Sequence, residues 1–195
     1  MTHDYGLMTK LLFLGLVAAV AVQRLLELRL SARNERALRE AGGYEVGAGH
    51  MNAMRLLHTA WLVAMPLEVF LLDRPFVPWL AALGLLGLVA GQALRYAAIR
   101  TLGPRWTTSI MILPDAPPVT GGLYRRIRHP NYVGVILEIA CVPLVHTAWL
   151  TALVFSVLNA LLLRVRIRAE ERALRAANRY DEALGTVPRF LPQNP

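Results

Sequence analysis

The sequence predicts an all-α integral membrane protein with five transmembrane helices. Hydrophobic residues make up 55% of the chain and charged residues only 17%, against roughly 45–50% and 25% in soluble domains. Five apolar stretches have nearly the length of a membrane span, and the arginines cluster between them or near the C-terminal end. The 195 residues are enough for one domain.

Each apolar stretch approaches the roughly 20 residues that a helix needs to cross a bilayer. The stretches are residues 8–28, 53–72, 77–99, 131–147 and 149–166. Only "DRPF" separates the second from the third. The fourth and fifth meet at "HTAW", which is short enough to predict a tight helical hairpin.

The basic residues predict how the helices are oriented. Net charge is +8, and Lys10 is the only lysine, so nearly all the positive charge is arginine. Arginines follow the first, third and fifth stretches, whereas the two short turns contain only Arg74. The positive-inside rule therefore places the N-terminus outside and the C-terminus in the cytoplasm. A nucleic-acid binder would mix its basic residues with polar surface, so we expect no nucleic-acid partner.

The segments that flank the first stretch indicate a retained helix. The first apolar run begins near Leu11 and lacks the small-residue cleavage site of a signal peptide. Residues 29–40 carry both charge signs at helical spacing, which predicts a solvated continuation of the first helix. The glycines of "AGGYEVGAGH" end it. Cys141 is the only cysteine, which excludes an intrachain disulfide and a thiolate zinc cluster.

The stretch "RRIRHPNYVGVILE", residues 125–138, places basic side chains just before an apolar helix. Proline is favoured at the first helical position, so Pro130 predicts that the fourth helix begins right after His129. The N–H groups and positive dipole end of a helix start favour an anion, to which Arg128 and His129 would add donors. The alternative is that these residues only anchor the helix at an anionic lipid surface.

A pair of carboxylates is predicted on the same side of the membrane. Glu170 and Glu171 lie in "RVRIRAEERALRAANRY", just beyond the fifth stretch. An anion site that faces two carboxylates suits a zwitterionic ligand. Adjacent helical residues point about 100° apart, so the sequence leaves open which of the two faces the ligand.

Several of these elements together resemble a known family. "GGLYRRIRHPNYVG", "RAEERAL" and "RYDEALGTVPRFLP" resemble the isoprenylcysteine carboxyl methyltransferase family of integral-membrane enzymes. The RHPxY and EExxL elements are specific in combination. In the N-terminal half, "RLLELRLSARNERALREAGGYEVGAGH" and "LGPRWTTSIMILP" resemble the bacterial branch that accompanies type III polyketide synthases and O-methylates alkylresorcinols and alkylpyrones.

The resemblance implies a single membrane-embedded methyltransferase domain over residues 1–195, with N-terminal helices in 8–100, a catalytic part in 101–195 and a short C-terminal cytoplasmic helix. It implies S-adenosyl-L-methionine as the methyl donor, in a pocket between the last two spans and the C-terminal segment. No GxGxxG element follows a strand here. The implied donor-binding residues are Tyr124, His129, Tyr132, Glu170 and Glu171, and Arg128 is implied to position the acceptor oxygen.

Ionisable residues inside a membrane span are candidates for function. Glu138 follows Pro130 by about two turns on the same face, and we predict it either as a catalytic base or as the ion-pair partner of Arg95 or Arg164. His58 and Glu68 are candidates for an acceptor pocket. His146 is expected to be packed or hydrogen-bonded, and the histidines are too scattered to predict a metal site.

Three residues near the motifs carry further expectations. Trp106 either covers the site or anchors the chain at the membrane interface. The prolines of "VPRFLP" predict a return of the tail, with Arg189 reaching back to the pocket. The family often has a second tyrosine three residues after the position of Tyr180, where this chain has Ala183, so the fit of the tail to the family is open.

The function predicted is O-methylation, at the cytoplasmic face of a bacterial cytoplasmic membrane, of a lipophilic acceptor that enters from the bilayer. A phenolic or pyrone lipid is the first choice, followed by a prenylcysteine carboxylate and a phospholipid amine. The partners implied are membrane lipids and, through biosynthesis, a type III polyketide synthase. A nicotinamide-dependent membrane reductase and a non-catalytic scaffold are the alternatives of other classes.

Overall fold

The computed structural model describes residues 2–191, which form six helices and one small sheet. The helices are α1 (Thr2–Glu40), α2 (Ala48–Leu71), α3 (Pro78–Leu102), α4 (Pro130–Leu144), α5 (Trp149–Ala177) and α6 (Tyr180–Leu184). The strands are β1 (Tyr44–Val46) and β2 (Ile110–Ile112). Single 3₁₀ turns occur at Gly103–Arg105 and Gly122–Arg125.

Within these described residues, four helices are long and apolar enough to cross a membrane: α1, α2, α3 and α5. This supports the predicted all-α membrane protein. The fourth predicted span is a helix of only 15 residues, about 22 Å long at 1.5 Å per residue, whereas the hydrocarbon core of a bilayer is about 30 Å thick. Five full spans therefore stay a prediction.

The helix ends and the segments between helices match the sequence-based predictions in two places and differ from them in one. Helix α1 continues without a break to Glu40, as the mixed charges of 29–40 predict, and Gly42 follows it with a φ of 89°. Thr147, with a φ of 55°, closes the tight hairpin between α4 and α5. The sequence patterns missed the antiparallel pairing of β1 with β2, in which Tyr44 lies opposite Ile112.

Helices α3 and α4 pack closely because glycines line their interface. A Cβ atom on Gly134 would lie 2.8 Å from the carbonyl oxygen of Gly91, and one on Gly84 would lie 2.8 Å from that of Cys141. Small residues let helix backbones approach within a membrane, where apolar side chains gain little from leaving lipid. The neighbouring core contains Trp61, Met65, Val69, Ile139 and Val142.

The outer surface and the ends of the bundle set the position of the site. Large apolar side chains such as Leu56 and Leu86, 71% and 68% exposed, cover the outside, as expected for a surface in contact with lipid. The ends of α1, α3 and α5 and the starts of α2 and α4 gather at one end with the β1–β2 sheet. We call this the basic end, because it carries the arginine clusters.

Candidate functional site

A cavity of about 670 Å³ opens within the bundle toward the basic end. Helices α1, α2, α4 and α5, the 105–113 segment and α6 all contribute to its wall. Five of the seven sequence-predicted site residues line it: Tyr124, Arg128, His129, Tyr132 and Glu170. The fold therefore brings the RHPxY and EE elements together at one cavity, while Glu138 and Glu171 lie outside its lining.

One wall of the cavity is polar, and its centre is a hydrogen-bonded group of side chains on α4 and α5. The hydroxyl of Tyr132 donates to the carboxylate of Glu170 and accepts a hydrogen bond of 2.7 Å from Nε of Arg166. Arg166 also donates, over 2.5 Å, to the carbonyl oxygen of Thr108. Sequence reasoning missed Arg166, which stands in a run of arginines; its spacing of four residues from Glu170 on one helix was the signal that could have identified it.

The buried carboxylate of Glu171 faces away from the cavity. Its Oε1 lies 3.0 Å from Nε2 of His129, and it accepts hydrogen bonds of 2.8 and 2.6 Å from Arg189. Arg128 approaches it to 3.4 Å. In this geometry Glu170 lines the cavity, whereas Glu171 lies outside the lining and holds the tail. Donor binding by Glu171 stays a prediction that this geometry does not favour.

His129 immediately precedes α4 and contacts both the Glu171 carboxylate and the Tyr132 ring, whose hydroxyl binds Glu170. Its ring stacks on that of Tyr132, with centroids 5.3 Å apart and planes inclined by 26°. Only 4% of His129 is exposed, and Nε2 of its ring is paired with Glu171. His129 therefore contributes to the cavity wall chiefly through the rest of its ring.

The start of α4 is less open to an anion than the sequence predicts. The backbone N–H of Arg128 donates to the carbonyl of Pro188 over 2.9 Å, and that of His129 donates to the carbonyl of Arg189 over 3.1 Å. The N–H groups of Tyr132 and Val133 both donate to the carbonyl of His129. The tail thus occupies amides that the sequence assigned to a ligand, because "VPRFLP" folds back on the helix start.

Several buried polar atoms at the cavity have no partner within the protein. Seven side-chain atoms of this kind occur in the described part of the chain, and four belong to cavity-lining residues. These are Nε1 of Trp106, Nε of Arg128, Oδ1 of Asn131 and Oδ1 of Asn178. Leaving a buried polar group unpaired costs about 1–3 kcal/mol, so their concentration here indicates a polar ligand. Trp106 is 2% exposed and is thus part of the cavity wall, not a surface anchor.

Two tyrosines give the cavity neutral hydroxyl groups. Burial, followed by the negative charge of Glu170, raises the pKa of the Tyr124 phenol well above its ordinary value. Burial, followed by Glu171 and Glu170, raises the pKa of Tyr180 to about 12. Both phenols therefore stay protonated at neutral pH and can donate hydrogen bonds.

A second polar group lies deeper, between α1, α3 and α4. Glu138 accepts hydrogen bonds from Arg24 and, over 2.7 Å, from Gln92, and Nε of Arg95 lies 3.8 Å away. Arg24 and Arg95 also bind Glu27. Glu138 is thus an ion-pair partner, chiefly of Arg24, which was not predicted, and at longer range of Arg95, and no contact with Arg164 occurs in the described residues. Its predicted role as a base is not favoured, because its oxygens are engaged outside the cavity lining.

The other ionisable residues of the predicted spans differ in whether they line the cavity. His58 lines the cavity, as predicted for an acceptor pocket. Glu68 does not, because it caps the start of α5 by accepting hydrogen bonds of 3.1 and 2.7 Å from the amides of Leu150 and Thr151. His146 is packed as expected, with Nε2 3.2 Å from Oγ1 of Thr9.

The described residues contain no group of three or more His, Cys, Asp or Glu side chains able to hold a metal ion.

Comparison with known proteins places these motifs in a family. The sequence model of the isoprenylcysteine carboxyl methyltransferase (ICMT) family matches residues 82–176, which include α4 and most of α5. The chain is 36% identical over 163 residues to the uncharacterized protein YpbQ of Bacillus subtilis (strain 168), covering 84% of this chain and 96% of that protein. It is 31% identical over 166 residues, with the same coverage, to an uncharacterized protein of Haemophilus influenzae.

A named enzyme is similar over a shorter region. The chain is 31% identical over 102 residues to protein-S-isoprenylcysteine O-methyltransferase A of Arabidopsis thaliana, covering 47% of this chain and 52% of that protein. The family match, the near-complete alignment with the bacterial relatives and the similarity to a named methyltransferase lead to one conclusion: the chain belongs to the ICMT family and is a methyltransferase.

Proposed function

We propose that the protein is an S-adenosyl-L-methionine-dependent O-methyltransferase of the bacterial cytoplasmic membrane that acts on a lipophilic acceptor, preferably an alkylresorcinol- or alkylpyrone-type phenolic lipid. The observation that carries this proposal is the single cavity that joins a charged wall at the basic end to apolar walls at membrane depth. One such cavity can bring a zwitterionic donor and a lipid acceptor together.

The residues at the basic end fit the chemistry of S-adenosyl-L-methionine. The Glu170 carboxylate suits the ammonium group of the donor. The aromatic faces of Tyr124 and Tyr132 suit a sulfonium ion. The unpaired amide oxygen of Asn178 can accept a hydrogen bond from the amino group of adenine or a ribose hydroxyl.

The deeper part of the cavity fits an acceptor with a long apolar chain. Its wall includes apolar side chains of α1, α2 and α5, among them Ala21, Leu25, Leu28, Leu62 and Leu163. The polar groups of Arg24, Glu27 and Arg95 also line it. An acceptor with polar oxygens on an apolar chain matches both features, whereas a plain hydrocarbon would cover these charged groups without making a hydrogen bond to them.

When bound, the donor supplies an electrophilic methyl group on a sulfonium. The residues of this chain then have to align the acceptor oxygen with that group and exclude water. Trp106 and Tyr124 are buried in the cavity wall, where they would help to exclude water. Arg128 is proposed to hold the acceptor oxygen and to stabilise its negative charge.

Isothermal titration of the purified protein with S-adenosyl-L-methionine tests the donor site. We expect binding by the wild type and a loss of about tenfold or more in affinity for Glu170→Gln, the value of one charged hydrogen bond. Glu182→Gln on α6 is the matched control, because that carboxylate is exposed and absent from the cavity lining. A folded wild type that binds no donor, with or without acceptor, would refute the proposal.

Transfer of a labelled methyl group to three acceptors in lipid nanodiscs tests the substrate. An alkylresorcinol, a prenylcysteine and a phosphatidylethanolamine represent the three choices. We expect the alkylresorcinol to react fastest. Preferential methylation of the prenylcysteine would instead assign the activity named for the plant relative, and methylation of the phospholipid amine would assign N-methylation.

The biosynthetic and topological parts of the proposal have separate tests. A type III polyketide synthase is the proposed source of the acceptor, so joint production of both proteins should yield O-methylated phenolic lipids. Reporter fusions should place the C-terminus in the cytoplasm and the N-terminus outside, since the basic segments follow α1, α3 and α5. A periplasmic C-terminus would place the cavity mouth on the other face.

A further inference from the structure

We propose that His58 is the general base that takes the proton from the hydroxyl group of the acceptor. The inference rests on the proposed function and assigns a catalytic role at the deep part of the same cavity.

His58 lies on the face of α2 that lines the cavity. One face of this helix lines the cavity at intervals of three and four residues, as one side of a helix must. Its members are Met51, Met54, Arg55, His58, Thr59 and Leu62. The face presents Met54 one turn toward the basic end, where it packs in a cluster with Tyr132. His58 therefore stands between the polar wall of Tyr132 and the apolar wall around Leu62.

A backbone contact fixes the tautomer of the His58 ring. Nδ1 of His58 lies 2.8 Å from the backbone carbonyl oxygen of Met54. A carbonyl oxygen only accepts hydrogen bonds, so Nδ1 carries a proton and donates it. In the neutral ring Nε2 then holds the lone pair, and this nitrogen is the one that can accept a proton. The same contact fixes the orientation of the ring.

Arginines line the cavity together with His58. They are Arg24 on α1, Arg55 on α2, Arg95 on α3 and Arg166 on α5. Glu27 and Glu138 pair with Arg24 and Arg95, and Arg166 shares the Tyr132 hydroxyl with Glu170. Hydrogen bonds from these guanidinium groups can stabilise an acceptor oxygen that becomes negative as it loses its proton.

The step balances in protons and electrons. The O–H bond of the acceptor breaks and its proton goes to Nε2, while the oxygen forms the O–CH₃ bond and the electron pair of the S–CH₃ bond stays on sulfur. The products are a methyl ether, a neutral thioether and a protonated His58. The imidazolium returns its proton to water after release.

This role separates acceptor classes. A phenol or hydroxypyrone oxygen gains from a base, whereas a carboxylate is ionised at neutral pH and needs none. A base at this position therefore points to a hydroxyl acceptor over a prenylcysteine carboxylate.

The test compares wild type, His58→Gln and His50→Gln on acidic and weakly acidic acceptors. His50 is a histidine of the same helix that does not line the cavity. For an alkylresorcinol we expect His58→Gln to lower kcat by about 100-fold or more. For an alkylphenol with acidifying substituents, ionised at the assay pH, we expect kcat to stay near that of the wild type, as it should for His50→Gln on both acceptors.

A second readout is independent of methyl transfer. A chromophoric alkylphenol, whose phenolate absorbs at longer wavelength, is titrated with pH while bound to each protein without donor. We expect the bound phenol to ionise at higher pH in the wild type than in His58→Gln, because the lone pair of Nε2 accepts a hydrogen bond only from the neutral phenol. Unchanged ionisation, or equal loss of rate on both acceptors, would overturn the role of His58. Failure of the wild type to methylate any acceptor would instead count against the proposed function.

Discussion

Arg189 donates two hydrogen bonds to the carboxylate of Glu171, from Nε over 2.8 Å and from a terminal nitrogen over 2.6 Å. This ion pair ties the C-terminal tail to α5. In addition, the carbonyls of Pro188 and Arg189 accept hydrogen bonds from the backbone amides of Arg128 and His129, which precede α4. The tail therefore holds the residues of the cavity wall in place without lining the cavity itself, because the last residue of the described chain that lines it is Leu184.

Glu171→Gln should lower the free energy of unfolding by about 1.5–3 kcal/mol, the contribution of a hydrogen bond to a charged group. The full cost of a buried, unpaired charge is not expected, because the Arg189 side chain is 47% exposed and can be solvated. Denaturation in mixed micelles measures the change. Glu182→Gln, on an exposed pair with Arg179, should change it by less than about 0.5 kcal/mol. Equal effects of the two substitutions would show that the tail is not held by Glu171.

Glu138→Gln should be more damaging, with a loss of about 3–5 kcal/mol, because it leaves two buried guanidinium groups to share one carboxylate, that of Glu27, and so one buried positive charge uncompensated. Arg24 and Arg95 would both lose a carboxylate. The double variant Glu138→Gln with Arg24→Gln should recover part of this loss, and a double-mutant cycle in micelles measures the coupling. A catalytic role would appear differently: kcat of the folded Glu138→Gln protein would fall while its stability stayed near that of the wild type.

Two glycine substitutions should have opposite consequences. Gly134→Ala places a Cβ 2.7 Å from Cγ of Arg95 and 2.8 Å from the Gly91 carbonyl oxygen, which cannot move without shifting α3. We expect a loss of about 1–3 kcal/mol. Gly15→Ala in α1 meets no atom within 4 Å and should be neutral or stabilising by up to about 1 kcal/mol, the helix propensity difference. Thermal unfolding of the two variants side by side tests the close packing of α3 on α4.

Tyr180 should make stability depend on alkaline pH. Burial, followed by Glu171 and Glu170, raises the pKa of this phenol to about 12 in the folded protein, against about 10 in an unfolded chain. The contribution of the neutral buried phenol is complete below pH 10 and is lost as pH rises from 10 to 12, where only the unfolded state ionises. Stability of Tyr180→Phe should therefore fall less steeply over this window than that of the wild type. Parallel curves would contradict a buried Tyr180.

The sequence predicted the helices well because length and apolarity alone define them. The α4–α5 hairpin, the long α1 and the meeting of the RHPxY and EE elements all followed from motif spacing and charge. The β1–β2 sheet was missed because three-residue strands carry too few positions to show alternation.

The parts of the site that the sequence missed are set by contacts between distant segments. Arg24 and Glu27 lie within the first predicted span and line the cavity, and their charge inside a span was a signal that could have identified them. Asn131 and Asn178 have neutral amides that occur in no recognisable pattern. The separate directions of Glu170 and Glu171 depend on the rotation of α5 within the bundle, which adjacent residues cannot reveal.

The shortness of α4 has a consequence for the lipid around the enzyme. A helix of 15 residues falls about 8 Å short of the hydrocarbon core, a mismatch that bilayers accommodate by thinning locally. Thinning on the α4 side would bring the headgroup layer, and the polar end of any amphiphile within it, nearer to the cavity. Acyl-chain length of the host membrane thereby becomes a variable of catalysis, with shorter-chain lipids expected to favour turnover.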